Sequence, residues 1–413
     1  MKPYILDLHI HSRFSRGCSK YLTLDSVAAW CEKKGIDIVA TGDFTHPGWF
    51  TELKQQLVET EPGLYSLTNK TSKTRFICST EISCIYKKND ATRRIHVLIV
   101  APNLIIVEKI NTKLNEIGNI KSDGRPILGL DVKELLKICL EIDERCLMIP
   151  AHIWTPWFSL FGSKSGFDHL EDCFEEMTPY IYAIETGLSS DPKMNWGLKQ
   201  LNNLAILSHS DAHSVENLAR EADVFALEQP SYDAIYEIIK TRDPKQFLYT
   251  IEFYPEEGKY HFDGHRDCNI RFTPEESHKH KNICPKCGRS LTIGVLNRVN
   301  ALSDQPENSK GRIPFKYVVP LAQIIAESLQ KNVHTKAVDQ IYEQLTKHTP
   351  EFQLLLHMPF AELRTIAEDR IVEGIKRMRE GNLIIHPGFD GVYGEVKIFS
   401  KEEISREKQG VLF

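Results

Sequence analysis

Apolar runs in this chain end repeatedly in a histidine or an acid. His9, His11, Asp43, Glu81, His152, Glu185, Asp211 and His213 each close or follow such a run, and His96 lies earlier within its own. Side chains on a strand alternate faces, so the two imidazoles of Asp7-Leu8-His9-Ile10-His11 point the same way, and Ser210-Asp211-Ala212-His213 offers a second pair. Gathering so many ionisable groups in an interior without cations costs on the order of several kcal/mol each. Imidazole and carboxylate are the ligands that suit Zn, Mn and Fe. The arrangement that brings strand ends to one mouth is a (β/α) barrel, so the reading is a barrel around a multinuclear metal site, and a hydrolase.

The local pattern supports alternation of strands and helices. Tyr4 to His11 reads as a strand, Thr23 to Lys34 as a helix and Ile36 to Thr41 as the next strand. Further strands are expected at Arg75 to Glu81, Arg94 to Val100, Cys146 to Ala151, Ala183 to Thr186 and Ala205 to Ser208, with helices over Asp131 to Ile142 and Pro192 to Leu201. From Tyr317 to Glu380 apolar residues recur with helical spacing, and Gly388-Phe389-Asp390-Gly391 introduces a short hairpin. The expected division is a barrel over 1–253, a small module over 254–316 and a helical region over 317–413.

With 413 residues and a formal net charge of -5, nothing global attracts a polyanion, so a nucleic-acid surface would have to be a local patch. One such patch exists: 11 Lys and Arg stand against 6 Asp and Glu between Lys259 and Lys316. No run approaches the roughly 18 apolar residues of a membrane span, and Met1-Lys2-Pro3-Tyr4 leads straight into a strand. A cytoplasmic protein with no membrane attachment is expected. The 10 Cys are scattered apart from Cys284-Pro285-Lys286-Cys287, which argues for reduced thiols plus one metal clasp. Cys284-x-x-Cys287 followed by Gly288-Arg289 has zinc-knuckle form. His265 and Cys268 supply the simplest other half of a structural Zn2+ site, with His261, His278 and His280 as rival fourth ligands. Such a clasp would also organise Arg266, Arg271, Arg289 and Arg298 into a face for a phosphate backbone.

The ligand pattern resembles the polymerase and histidinol phosphatase (PHP) superfamily at His9, His11, Glu81, His96, His152, Asp211 and His213, over roughly Met1 to Glu252. That resemblance implies a distorted (β/α)7 barrel holding up to three metal ions, Zn2+ in the first instance with Mn2+ or Mg2+ as alternatives. One motif departs: Thr41-Gly42-Asp43-Phe44-Thr45-His46 has Phe44 where the superfamily has a ligand His, so either Asp43 or His46 would take its place. For the chemistry, a metal-activated hydroxide would attack, Asp211 or Glu185 would orient it, and Arg13 or Lys20 would neutralise phosphate oxygens.

Longer strings narrow the resemblance. Glu257-Gly258-Lys259-Tyr260-His261-Phe262-Asp263-Gly264-His265-Arg266, the Cys284 to Val299 stretch, Trp154-Thr155-Pro156-Trp157-Phe158-Ser159 and Pro387-Gly388-Phe389-Asp390-Gly391-Val392-Tyr393-Gly394 are similar to the endonuclease Q family. The resemblance implies a DNA-repair endonuclease acting on damaged DNA and cutting 5′ to a deaminated base (deoxyinosine, deoxyuridine) or an abasic site; a monomer is expected. A sliding clamp is a further implied partner, although no clear clamp-binding motif is present. An enzyme reading a lesion must extrude it onto a stacking surface. Trp154, Trp157, Phe158 and Ser159 after His152, and Trp49 after Asp43, are the residues expected there. Two rivals share parts of the pattern: a small-molecule phosphatase of histidinol phosphate type, and a non-catalytic zinc-dependent nucleic-acid-binding protein.

Overall fold

The computed structural model describes residues 1–68, 72–400 and 402–403; the end of the expected helical region beyond these lies outside the described residues. The chain gathers into two compact units: Met1–Glu32 with Ile36–Glu252 and Val295–Phe315, and Lys33–Gly35 with Phe253–Gly294 and Lys316–Phe413. This differs from the expected three-part division. The stretch after Val295 joins the first unit because Arg298 donates to the Phe161 and Phe167 carbonyls and pairs with Asp168 at 2.6 Å, and Gln305 donates to the Trp196 carbonyl.

In the first unit, strand Lys2–Asp7 pairs in parallel with Ile38–Ala40, which pairs in parallel with Arg75–Ile77. On the other side of Lys2–Asp7 lie Ala222–Leu227 and then Phe247–Glu252, both antiparallel to their neighbours. A long hairpin, Ser79–Lys88 with Ala91–Val100, follows, and Leu147–Pro150 runs antiparallel to its second arm. Ala183–Glu185 and Ala205–Leu207 form a parallel pair. The apolar faces of these strands meet in one core that includes Leu6, Ile38, Ile77, Leu98, Ile149, Ala183, Leu207 and Phe225. This is an α/β fold of distorted PHP-barrel type.

Helices close over the barrel for legible reasons. Val132, Leu135, Leu136 and Cys139 form the buried stripe of helix Val132–Ile142, started by the Asp131 side chain accepting from the Lys133 amide. Helix Tyr232–Thr241 is capped in the same way by Ser231. The helix expected over Pro192 to Leu201 is instead two short turns, Pro192–Asn195 and Lys199–Leu201. The chain breaks at Gly197 because that carbonyl is taken by the amides of Asp304 and Gln305.

The expected strand Arg75 to Glu81 is also divided, at Cys78. Its second part runs on into the hairpin, which explains His96: the strand Ala91–Val100 runs opposite to its neighbour, so the histidine that reaches Glu81 comes in mid-strand. Ser83 is the register partner of His96, placing Glu81 diagonally beside it on the same face.

The second unit holds the hairpin Asp263–His265/Ile270–Phe272, helix Pro274–Lys279 started by a Thr273–Glu276 capping box, helices Leu321–Ser328, Lys336–Thr346, Phe360–Ile366 and Asp369–Glu380, and the hairpin Ile384–His386/Glu395–Lys397. Among the described residues no helix is long and apolar enough to cross a membrane.

Candidate metal centre

Each imidazole of the first motif is held by its rear nitrogen. Glu185 faces His9 Nδ1 at 3.0 and 3.1 Å, and Asp43 faces His11 Nδ1 at 2.9 Å. The front nitrogens therefore turn inward together. Nε2 of His9 and His11 lie 3.6 and 3.3 Å from Glu81 Oε2, and 3.5 and 3.1 Å from Asp211 Oδ1. Both Nε2 atoms and Asp211 Oδ1 are buried without a hydrogen-bond partner, as expected of atoms aimed at a common ion.

Glu81 turns its other oxygen to a second group: Oε1 is 2.6 Å from His96 Nδ1 and 3.1 Å from His152 Nε2. His9, His11, Glu81 and Asp211, and separately Glu81, His96 and His152, each bring ligand atoms within 4.8 Å of one another. The donor sets, each with two imidazoles, fit divalent cations of the Zn, Mn or Fe kind.

The electrostatics favour a cation. Burial works against charge on His9, but the Glu185, Asp211 and Glu81 carboxylates outweigh it and hold that imidazole well above its ordinary range. His11 behaves in the same way under Asp43, Asp211 and Glu81. Against the cost of burial, His9 and His209 bring the Glu185 carboxyl down to about 2.

Three backbone positions here adopt the left-handed region: Asp43 at φ 46°, His152 at 31° and Asp211 at 46°. Such local strain concentrates at functional sites. Around His152 it depends on Gly187, where an added Cβ would come within 2.4 Å of the His152 Cβ.

The remaining expected site residues fall elsewhere. His213 donates from Nδ1 to the Asp211 carbonyl (2.8 Å) and packs its ring against His11, outside both ligand groups. His46 stacks on Phe14 with ring centres 4.4 Å apart, also outside them. Glu185 is fully buried behind His9, and Arg13 pairs with Glu52 at 2.6 Å. Trp49 and Trp154 are each 1% exposed, with indole N–H groups bonded to the Thr41 and Gly42 carbonyls and to Asn195. Both are packing residues in this conformation, because their loops fold inward. Ser159 is buried and donates to the Thr155 carbonyl. Trp157, at 46% exposure, and Phe158, packed on His96 with centres 4.8 Å apart, are the aromatics that remain near the ligands.

Three residues beyond the sequence expectation complete the surroundings. His209 bridges Glu185 (2.9 Å) and Asp223 (3.0 Å), extending the chain behind His9. Asp7 accepts from the Ser210 amide and hydroxyl and from the Ala219 amide, which ties the first strand to the loop that carries Asp211. Arg125 places Nη1 3.0 Å from Glu81 Oε2. His209 was visible as a third ionisable residue beside Ser210-Asp211, and Asp7 within the first motif. Arg125, just before the two-residue strand Ile127–Leu128, carried no signal, because so short a strand leaves no apolar run to read.

In the second unit His265, Cys268, Cys284 and Cys287 bring their ligand atoms within 4.8 Å of one another, a Cys3His set suited to structural zinc. The knuckle turn closes through Gly288 at φ 72°, with the Cys284 amide donating to the Arg289 carbonyl at 2.7 Å. His261, a rival ligand, is buried elsewhere and pushed by burial down to about 4. Asp390 accepts from the Arg266 amide and Thr292 hydroxyl, and Arg271 donates to the Pro387 carbonyl, so the loop of the terminal hairpin is laced to the clasp. Arg266 and Arg289 stay exposed, whereas Arg298 is spent on fastening the first unit.

Residues 320–382 match the family described as MJ0043 C-terminal domain. The chain is 34% identical over 252 residues to uncharacterized protein MJ0043 of Methanocaldococcus jannaschii, covering 59% of this chain and 31% of that protein; the chain thus spans about a third of that relative's length. It is 27% identical to uncharacterized protein YqxK of Bacillus subtilis, over 96% of this chain and 100% of that one. Among solved structures it is similar to the lesion-specific endonuclease PfuEndoQ of Pyrococcus furiosus, with a TM-score of 0.86, 30% identity and coverage of 98% and 99% of the two chains. It is equally similar to an endonuclease Q complex with a 27-mer duplex carrying an abasic lesion at the active site, with a TM-score of 0.84, 31% identity and coverage of 97% and 98%.

Proposed function

The chain belongs to the endonuclease Q family, and from that membership we propose that it is a metal-dependent DNA-repair endonuclease that hydrolyses the phosphodiester bond 5′ to a deoxyinosine, a deoxyuridine or an abasic site. The observation that carries this reading is the convergence of buried, unpartnered His9 Nε2, His11 Nε2 and Asp211 Oδ1 on Glu81. His9, His11, Glu81, His96, His152 and Asp211 would hold the ions, which when bound lower the pKa of water and compensate charge on phosphate oxygens.

The chain's own residues do the rest. Glu185 and Asp43 fix which nitrogen of His9 and His11 carries the proton. The Asp211 side chain is 25% exposed, so it is the carboxylate able to meet and orient an incoming water, whereas buried Glu185 acts through His9. Arg125, already at Glu81, adds fixed positive charge beside the reacting phosphate. Trp157 and Phe158 offer the stacking face for an extruded nucleotide. The zinc-held module with Arg266, Arg271 and Arg289 adds affinity along the backbone that does not depend on sequence. A phosphatase for small monoesters would have no use for that module.

The test is an incision assay on duplexes carrying one deoxyinosine, deoxyuridine or abasic site, with the cut position mapped, alongside Asp211→Asn. Cleavage one bond 5′ to the lesion, abolished in the variant while DNA binding persists, is expected. Release of phosphate from small monoesters with lesion DNA left intact would overturn the proposal.

A further inference from the structure

The barrel unit contains a polar pocket at the beginning of strand Ala205–Leu207. The other end of this strand leads into His209 and Asp211, so the pocket and the metal centre lie towards opposite ends of it. It encloses about 260 Å³. Trp196, Ile206 and Ile313 form an apolar wall, and the polar lining comprises Asn202, two threonines and two arginines, Arg242 and Arg312, with no Asp or Glu.

Two cations sharing a pocket that lacks a carboxylate call for an explanation, since like charges repel and guanidinium groups ordinarily find an acceptor. Arg312 donates to the side-chain oxygen of Asn202, which Gln305 already contacts at 2.7 Å, so that acceptor is shared. Arg242 Nη1 is buried with no hydrogen-bond partner. Among the described residues neither guanidinium is paired with an acid. Arg242 follows helix Tyr232–Thr241 as its C-terminal cap, where a cation is favoured in any case. That accounts for one charge, but neither for the second beside it nor for a buried donor without an acceptor.

We propose that this pocket is an anion site that takes a phosphate monoester group between Arg242 and Arg312. A guanidinium presents paired donors that match phosphate oxygens, and two of them neutralise a dianion. The volume admits the phosphoryl group with only a small organic body against Trp196, so the phosphate arrives either free or on a molecule of about mononucleotide size. The site is independent of the nuclease chemistry and stands or falls apart from it.

The test is calorimetric titration of the full, metal-loaded chain with inorganic phosphate and, separately, with a deoxynucleoside monophosphate. It compares wild type with Arg242→Gln and Arg312→Gln, each shown to be folded by an unchanged rate of lesion cleavage. Wild type should show a phosphate site whose affinity falls at least about tenfold in each variant and is partly restored by Arg312→Lys. Tighter binding of the nucleotide than of free phosphate would place the organic body on the Trp196 wall; equal binding would assign the site to phosphate alone. Titrations identical in wild type and both variants, or no binding by wild type at about 10 mM of either probe, would overturn the proposal.

Discussion

Asp43→Asn separates holding an imidazole from holding an ion. Asp43 accepts from the Ser12 amide at 2.6 Å and the Ser12 hydroxyl at 2.7 Å through Oδ2, while Oδ1 faces His11 Nδ1 at 2.9 Å. Ser12 is a donor on both bonds, so an amide at position 43 keeps its oxygen there and turns its NH2 to His11. His11 Nδ1 then becomes an acceptor, and the ring proton moves to Nε2, the nitrogen that must offer its lone pair to an ion. Losing such a supporting group costs 10- to 100-fold in metal affinity, or about 1.4–2.7 kcal/mol. The left-handed backbone at φ 46° suits Asn as well as Asp, so the fold is undisturbed. Asp43→Ala would add a backbone penalty of roughly 1–2 kcal/mol. Metal affinity is measured by competition with a chromophoric chelator, and the His11 tautomer by nitrogen NMR. Cleavage should recover as metal is raised. An affinity within about twofold of wild type would refute the tautomer argument, and loss of a whole ion per chain would make Asp43 a ligand.

Other expectations concern the second unit. Cys284→Ser should lower zinc content by one ion per chain and open the 265–290 segment to limited proteolysis, because ion binding there is folding free energy. Unchanged protection would show that the clasp is dispensable. Arg289→Ala should weaken duplex binding similarly for all sequences and reduce the slope of log affinity against log salt by about 1; an unaltered slope removes Arg289 from the interface. Burial, with Glu327 nearby, pushes the Glu257 carboxyl from 4.5 up to about 7. The folded state therefore binds the proton that the unfolded chain has released, and this unit should lose on the order of 1–3 kcal/mol as pH rises from about 4.5 to about 7. Glu257→Gln should flatten that part of a denaturation-versus-pH curve, and an identical curve would contradict the assignment.

Much of the centre was legible because strand periodicity is a strong constraint. A pair at i and i+2 after an apolar run, as with His9 and His11, has one face to share, and isolated Glu81 and Asp211 had few other reasons to stand beside apolar runs. Sequence spacing does not say which residues of a cluster touch the ion and which stand behind. Asp43 and Glu185 look the same as ligands and as supports until the rear nitrogens of the imidazoles are located. Aromatics beside ligands were ambiguous for a similar reason: Trp49 and Trp154 have inward-folding loops that bury them, while Trp157, three residues on, stays in solvent. The antiparallel course of Ala91–Val100 was hidden because an apolar run reads the same in either direction.

Glu81 divides its two oxygens between the two sets of imidazoles. Deleting this carboxyl group removes a ligand from both sets at once, and whatever fills one set sets the orientation in which the other finds its share. The sets are therefore interdependent: a lineage of such enzymes could not discard one and keep the other intact unless residue 81 itself were rebuilt.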